Sequence, residues 1–188
     1  MPTADFSLAG QFLIAMPDLA GSYFGATLTL MCEHDDQGAL GLVVNRPTNV
    51  GMDQLFDELD MTMPEHLDDA PPTVYEGGPV GQERGFVLHR SAVVGMPSLE
   101  VTSDIYLSGA SEILRSVAFE QPPADYLVLL GYAGWGAGQL EEELKDNAWL
   151  TCPATSEIVF EAKPEARIQK AAAQLGVDYA LLAAPGHA

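Results

Sequence analysis

Positive charge is scarce in this sequence. Lysine and arginine number 8 against 27 aspartates and glutamates, a formal net charge of −19 in 188 residues. A direct reader of duplex DNA needs a Lys/Arg footprint that displaces counterions from phosphates. Here Arg46, Arg84, Arg90, Arg115, Lys145, Lys163, Arg167 and Lys170 are scattered along the chain, so direct nucleic-acid binding is not expected. Cysteine is nearly absent: Cys32 and Cys152 sit in apolar settings without CxxC spacing, which excludes a zinc knuckle or a redox motif. They are expected as buried thiols in a reducing compartment, with a disulfide between them left open. Long apolar runs are missing too. The run at 12–15 is closed by Met16, Pro17 and Asp18, well short of a membrane span, and no Lys or Arg precedes it as in a signal peptide. A soluble, unprocessed, cytoplasmic chain is expected.

Catalytic signatures are also lacking. Gly131, Gly134, Gly136 and Gly138 invite a phosphate-loop reading, because amides at a strand-to-helix turn can cradle anions. Their spacing is not GxGxxG, no GK[ST] follows, and Glu141, Glu142 and Glu143 would repel phosphate. A tight turn packed under Trp135 is the expected role. No GxSxG elbow accompanies Ser91, Ser103 or the cysteines. His34 with Asp35 and Asp36, and His66 with Glu65, Asp68 and Asp69, lack the spacing of HExxH or an EF-hand, and read as solvated turns. His89 reads as a satisfied, half-buried strand histidine. No catalytic residue, cofactor or metal is expected.

What is present is a foldable chain: 47% hydrophobic and 19% charged residues predict one compact domain over 1–188. A strand is expected at 12–15. The segment 27–33, with one face buried more deeply than the other, pairs through a turn at 35–38 with a strand at 39–45. Pro47 stops that strand, and Thr48 or Asn49 is expected to cap a helix whose inner face is Met52, Leu55, Phe56 and Leu59. A loop at 60–72 follows, then short strands at 74–76, 85–89, 99–102 and 105–107. Ile113, Leu114, Val117 and Ala118 predict a helix with Ser108 or Ser111 at its start. Tyr126–Leu130, continuously apolar, reads as a strand covered on both faces. A helix at 139–146 with a Glu141–Lys145 pair and a strand at 148–151 come next. A last helix from Pro164 carries Ile168, Ala171, Ala172 and Leu175 on one face and stops at Gly176.

Arg46, between Asn45 and Pro47, and Glu76, before Gly77 and Gly78, are polar groups at strand ends in stiff turns. Such positions build turns, and they can also line a small cleft. Three segments then carry a family resemblance. GQFLIAMP at 10–17, GLVVNRPT at 41–48 with YEGGPV at 75–80, and LGYAGWGAGQLEEEL at 130–144 followed by WLTCPA at 149–154 resemble the YqgE/AlgH family of bacterial proteins across nearly the whole chain. The resemblance implies an α+β fold whose mostly antiparallel strands form an irregular pseudo-barrel flanked by helices. It also implies a transcriptional-regulator label and carries over no catalytic residue. The signature positions include Asn45, Arg46, Gly77, Gly78, Tyr132, Trp135, Gln139 and Glu141. The charge makes an indirect, non-enzymatic route through a protein partner the leading expectation. The alternative is a small-ligand binder or enzyme with a cleft near Arg46, Glu76 and Trp135. Oligomeric state stays open.

Overall fold

A computed structural model describes residues 7–63, 65, 72–93, 97–118 and 125–182. In chain order the strands are β1 (Gln11–Ala15), β2 (Leu28–Asp35), β3 (Gly38–Val43), β4 (Val74–Glu76), β5 (Val80–His89), β6 (Leu99–Thr102), β7 (Ile105–Gly109), β8 (Tyr126–Gly136) and β9 (Trp149–Pro153). The helices are α1 (Met52–Glu58), α2 (Ala110–Ala118), α3 (Gln139–Lys145), α4 (Pro164–Ala173) and α5 (Tyr179–Leu182), with a 3-10 turn at Pro17–Leu19 and a π-helical turn at Glu157–Glu161. All nine strands share one sheet ordered β6-β7-β5-β8-β3-β2-β1-β9, with β4 added to β8. Only β4 and β8 pair in parallel among the described strands.

The open sheet curls on itself. A methyl group at Gly10 would lie 3.1 Å from the Val101 carbonyl of β6, and Ser156, just after β9, donates to Asp104 in the β6–β7 turn at 2.7 Å. The curl encloses a core of Phe12, Ile14, Leu28, Leu30, Leu42, Leu88, Ile105 and Leu129, and α4 covers it with Ile168, Ala171 and Ala172. A second cluster lies outside the sheet under α1 and α2, and a third joins Leu13, Met31, Trp135, Leu140 and Trp149. These outer clusters bury the opposite faces of the strands. That is why β2, expected to bury one face more deeply, is buried on both, with Thr29 and Met31 as inaccessible as Leu28 and Leu30.

β8 organises the sheet. Its first half pairs with β4 on one side and β5 on the other, Val128 opposite both Val74 and Val87. Its second half pairs with β3, Trp135 opposite Ala39. The glycine series is therefore mostly strand, correcting the expectation of a turn starting at Gly131; only Ala137 and Gly138 turn before α3. Gly131 bends the strand at φ +78°, and a side chain there would run into the Gly78 carbonyl. Gly77 and Gly78 reciprocate, since their own side chains would strike the Gly131 carbonyl and the Tyr132 backbone. Two backbones meet where only glycine leaves room.

Other local expectations are revised. Gly51, not Thr48 or Asn49, caps α1, with Gln54 returning a hydrogen bond to the Gly51 amide at 3.0 Å. The Thr48 hydroxyl instead holds the Val74 carbonyl at 2.7 Å. β5 begins five residues earlier than expected because it continues past Gly85 to Val80 across a register shift. Ser108 ends in β7 rather than at the start of α2. Lys145 pairs with Glu142 at 3.2 Å, not with Glu141. Leu175 lies beyond the end of α4 and is exposed, while Gly176 takes the left-handed conformation expected of a helix stop. Both cysteines are buried free thiols, and burial pushes both thiol pKa values up. Among the described residues no helix is long and apolar enough to cross a membrane. His66 and most of the loop expected around it lie outside the described residues.

Candidate functional site

The signature residues divide between two ends of the sheet. At the first end, β8 delivers Trp135 and β9 delivers Trp149 against Phe24, with ring centroids 5.5 to 6.1 Å apart. Each buried indole needs an acceptor for its N–H. Glu143 of α3 provides it: one carboxylate oxygen accepts from Trp135 Nε1 at 3.0 Å and from Trp149 Nε1 at 2.9 Å. The other oxygen accepts from Gln139 Nε2 at 2.9 Å, and Gln139 Oε1 takes the Gly136 amide at 3.0 Å. Gln139 and Trp135 are thus joined in one network that fastens α3 to β8 and β9. Glu143 was not singled out from sequence; its spacing of four from Gln139 and eight from Trp135 is the signal that could have found it.

Glu141 points to the other side of α3 and meets His34, which is buried in β2 rather than solvated in a turn. The Leu8 amide donates to His34 Nδ1 at 2.9 Å. That leaves the ring proton on Nε2, which donates to the Glu141 carboxylate. The bond from His34 is the main reason that the Glu141 carboxyl sits below its ordinary pKa, against an opposing effect of burial. Glu141 and Glu143 of this helix are therefore both engaged in holding the fold.

At the second end, Asn45 ties the start of β2: its Oδ1 accepts from the Leu28 amide and its Nδ2 donates to the Ala26 carbonyl, each at 3.0 Å. Arg46 donates from Nη2 to the Gly25 carbonyl at 3.0 Å and lies 4.7 Å over the Tyr23 ring. The Tyr23 hydroxyl is buried beside the Glu76 carboxylate and the Arg46 guanidinium, and its pKa responds to both. Burial first, then the Glu76 charge, pushes its pKa up to about 12. Glu76 accepts from Gln82 Nε2 at 3.2 Å and lines a shallow cleft of about 260 Å³ with Thr48, Val50, Gln82 and Leu130. Gly77 and Gly78, which follow Glu76, are buried, and Arg84 lies 5.7 Å over the Tyr132 ring.

The expected single cleft near Arg46, Glu76 and Trp135 is thus two places. Trp135 lines a different depression with Glu33, Asp35, Gln37, Gly38, Ala39 and Leu40. An aromatic row connects the two ends, from Tyr23 edge-on to Phe24 at 5.1 Å and from Phe24 stacked on Trp135 at 6.1 Å. Tyr23, Thr48, Val50 and Gln82 escaped sequence reasoning because they are brought together by β4, β5 and the chain before β2. No group of three or more His, Cys, Asp or Glu among the described residues could hold a metal ion.

Comparison with known proteins finds relatives along the whole chain. A family model described as AlgH-like matches residues 12–180. A UPF0301 protein of Azoarcus sp. is 47% identical over 189 residues, covering 100% of both chains. One from Thioalkalivibrio sulfidiphilus is 44% identical, covering 99% of this chain and 100% of its own. The solution structure of the AlgH protein from Pseudomonas aeruginosa superposes with a TM-score of 0.80 at 43% identity, with 100% of both chains covered. A Corynebacterium diphtheriae crystal structure shares the fold at a TM-score of 0.67 and 19% identity, covering 89% of this chain and 86% of its own. The chain belongs to the AlgH-like family.

Proposed function

We propose that this chain is a non-enzymatic, cytoplasmic regulatory protein that acts through a protein partner docking on the rim formed by Arg46, Glu76 and Gln82. The carrying observation is the shape and chemistry of that rim. A small-molecule site encloses most of its ligand, whereas this cleft of about 260 Å³ is shallow. Val50 of the cleft is 36% exposed and Val80, at the start of β5, is 42% exposed. Apolar contacts beside charged and amide groups suit a protein surface. A regulatory role exerted indirectly fits the net charge of −19, which repels nucleic-acid phosphates.

The test is affinity capture from native lysate with the wild-type chain and a Glu76→Gln/Val80→Glu variant in parallel. A partner held by the wild type and lost by the variant supports the rim; equal capture by both rules it out. A second reading, a small ligand in the same cleft, is favoured by the buried Tyr23 hydroxyl set beside Glu76 and Arg46. A metabolite that raises the melting temperature of the wild type but not of Tyr23→Phe would establish it.

A further inference from the structure

A hydrogen-bonded chain on the opposite wing of the sheet is used by none of the above. In β5, β6 and β7 the antiparallel register sets His89 opposite Tyr106 and Glu100 opposite Tyr106. Alternation then places His89, Tyr106, Ser108 and Glu100 on one face, and Ser98, two residues before Glu100, falls across from Ser108. His89 Nδ1 lies 2.7 Å from the Ser91 carbonyl, which can only accept, so Nδ1 carries the ring proton. His89 Nε2 is then the acceptor for the Ser108 hydroxyl at 2.8 Å. The Ser108 oxygen in turn accepts from the Ser98 hydroxyl at 2.7 Å. Every direction in the chain is set by that one carbonyl. His89 and Ser108 are buried, and Ser98 is the half-exposed end, between exposed Pro97 and Leu99.

We propose that Ser98 is an activated nucleophile and a site of covalent acylation by small activated acyl esters. The relay supplies what a serine alone lacks, an internal base held in the accepting tautomer. Ser98 Oγ forms a bond to the ester carbonyl carbon. Its proton passes to Ser108 Oγ, whose own proton passes to His89 Nε2, leaving an imidazolium whose Nδ1–H still holds the Ser91 carbonyl. The bond from the carbonyl carbon to the leaving alcohol breaks, and the proton returns through the relay to that alkoxide. The products are acyl-Ser98 and a free alcohol, with His89 neutral again. Burial keeps His89 uncharged, and therefore able to accept, by lowering its pKa.

The probe is p-nitrophenyl acetate with the full chain, read by p-nitrophenol release and peptide mass mapping. The expected result is a burst of one equivalent per chain, with acetate on Ser98. Ser98→Ala abolishes the burst, and Ser108→Ala, which interrupts the relay, slows it by about a hundred-fold, the range of general-base assistance. Ser103→Ala, a neighbouring serine in the β6–β7 turn, leaves it unchanged. The wild-type burst rate falls as the pH is lowered through the titration of His89, a dependence that Ser108→Ala loses. Acetate spread over other residues, or a Ser108→Ala rate equal to wild type, overturns the proposal. Release continuing beyond one equivalent and requiring Ser98 supports the nucleophile while contradicting the non-enzymatic reading above. An absent burst alongside rim-dependent partner capture removes the acylation alone.

Discussion

Trp135 of β8 donates its indole N–H to Glu143 of α3 at 3.0 Å, and the same carboxylate oxygen takes the N–H of Trp149 at 2.9 Å. Replacing Glu143 by alanine orphans two indole donors in the Phe24 aromatic cluster. A buried donor left without a partner costs about 1–3 kcal/mol, so Glu143→Ala is expected to lose on the order of 2–4 kcal/mol in urea denaturation followed by tryptophan fluorescence. Glu143→Gln keeps an acceptor oxygen and should lose less. Equal stability of Glu143→Ala and wild type would show that the two indoles do not depend on this carboxylate.

The contact between Gly131 and Gly78 predicts a contrast along β8. Gly131→Ala must hold φ +78° with its methyl against the Gly78 carbonyl, and should cost more than about 2 kcal/mol from the left-handed backbone and the clash together. Gly134→Ala meets nothing closer than the Tyr132 ring at 3.5 Å. Its methyl is tolerated, with a change within about 0.5 kcal/mol, the usual range for exposed positions. Thermal melting of the two variants side by side makes the comparison.

Acid should weaken the bond between α3 and β2. The Glu141 carboxyl is lowered in the folded chain by the hydrogen bond from His34, so its stabilising contribution is present above the ordinary carboxylate range. It is lost as pH falls through the lowered folded value. Glu141→Gln is expected to flatten that limb of a stability-versus-pH curve between about pH 5 and 3, around the ordinary glutamate pKa. A curve with the wild-type slope would place the acid sensitivity elsewhere.

His89 adds a second pH dependence, at higher pH. Its folded pKa is lowered, by burial first, so the unfolded chain takes up the proton before the folded one does. Its contribution to stability is full above the ordinary histidine pKa of about 6.5 and is lost as pH falls from there through the folded value. His89→Gln should remove that slope, measured as urea midpoints between about pH 7 and 5.

Much of the fold was legible from the pattern of apolar residues and punctuating turns. The β2–β3 hairpin follows from the apolar runs on either side of Asp35–Gly38, and the inner face of α1 from Met52, Leu55 and Phe56 at helical spacing. The glycines of β8 misled because sequence shows that glycine is permissive without showing which backbone approaches it. That information belongs to Gly77 and Gly78, more than fifty residues away. His34 misled for a similar reason. Its sequence neighbours Asp35 and Asp36 are polar, but its partners are Leu8 and Glu141, contributed by distant segments. Asn45, Arg46 and Glu76 were recognisable as stiff polar strand ends. That Trp135, Gln139 and Glu141 belong to a separate, structural end required the curl of the sheet.

The proposed division of the signature into a structural end and a binding rim can be tested directly by capture with Glu76→Gln/Val80→Glu, using Glu33→Gln, an exposed position of the mostly buried β2, as the control. Melting temperature is followed on the same samples. The expected result is a melting temperature within about 2 °C of wild type for both variants, as for surface substitutions, with the partner retained by Glu33→Gln and lost by Glu76→Gln/Val80→Glu. A partner retained by the folded rim variant would contradict the assignment.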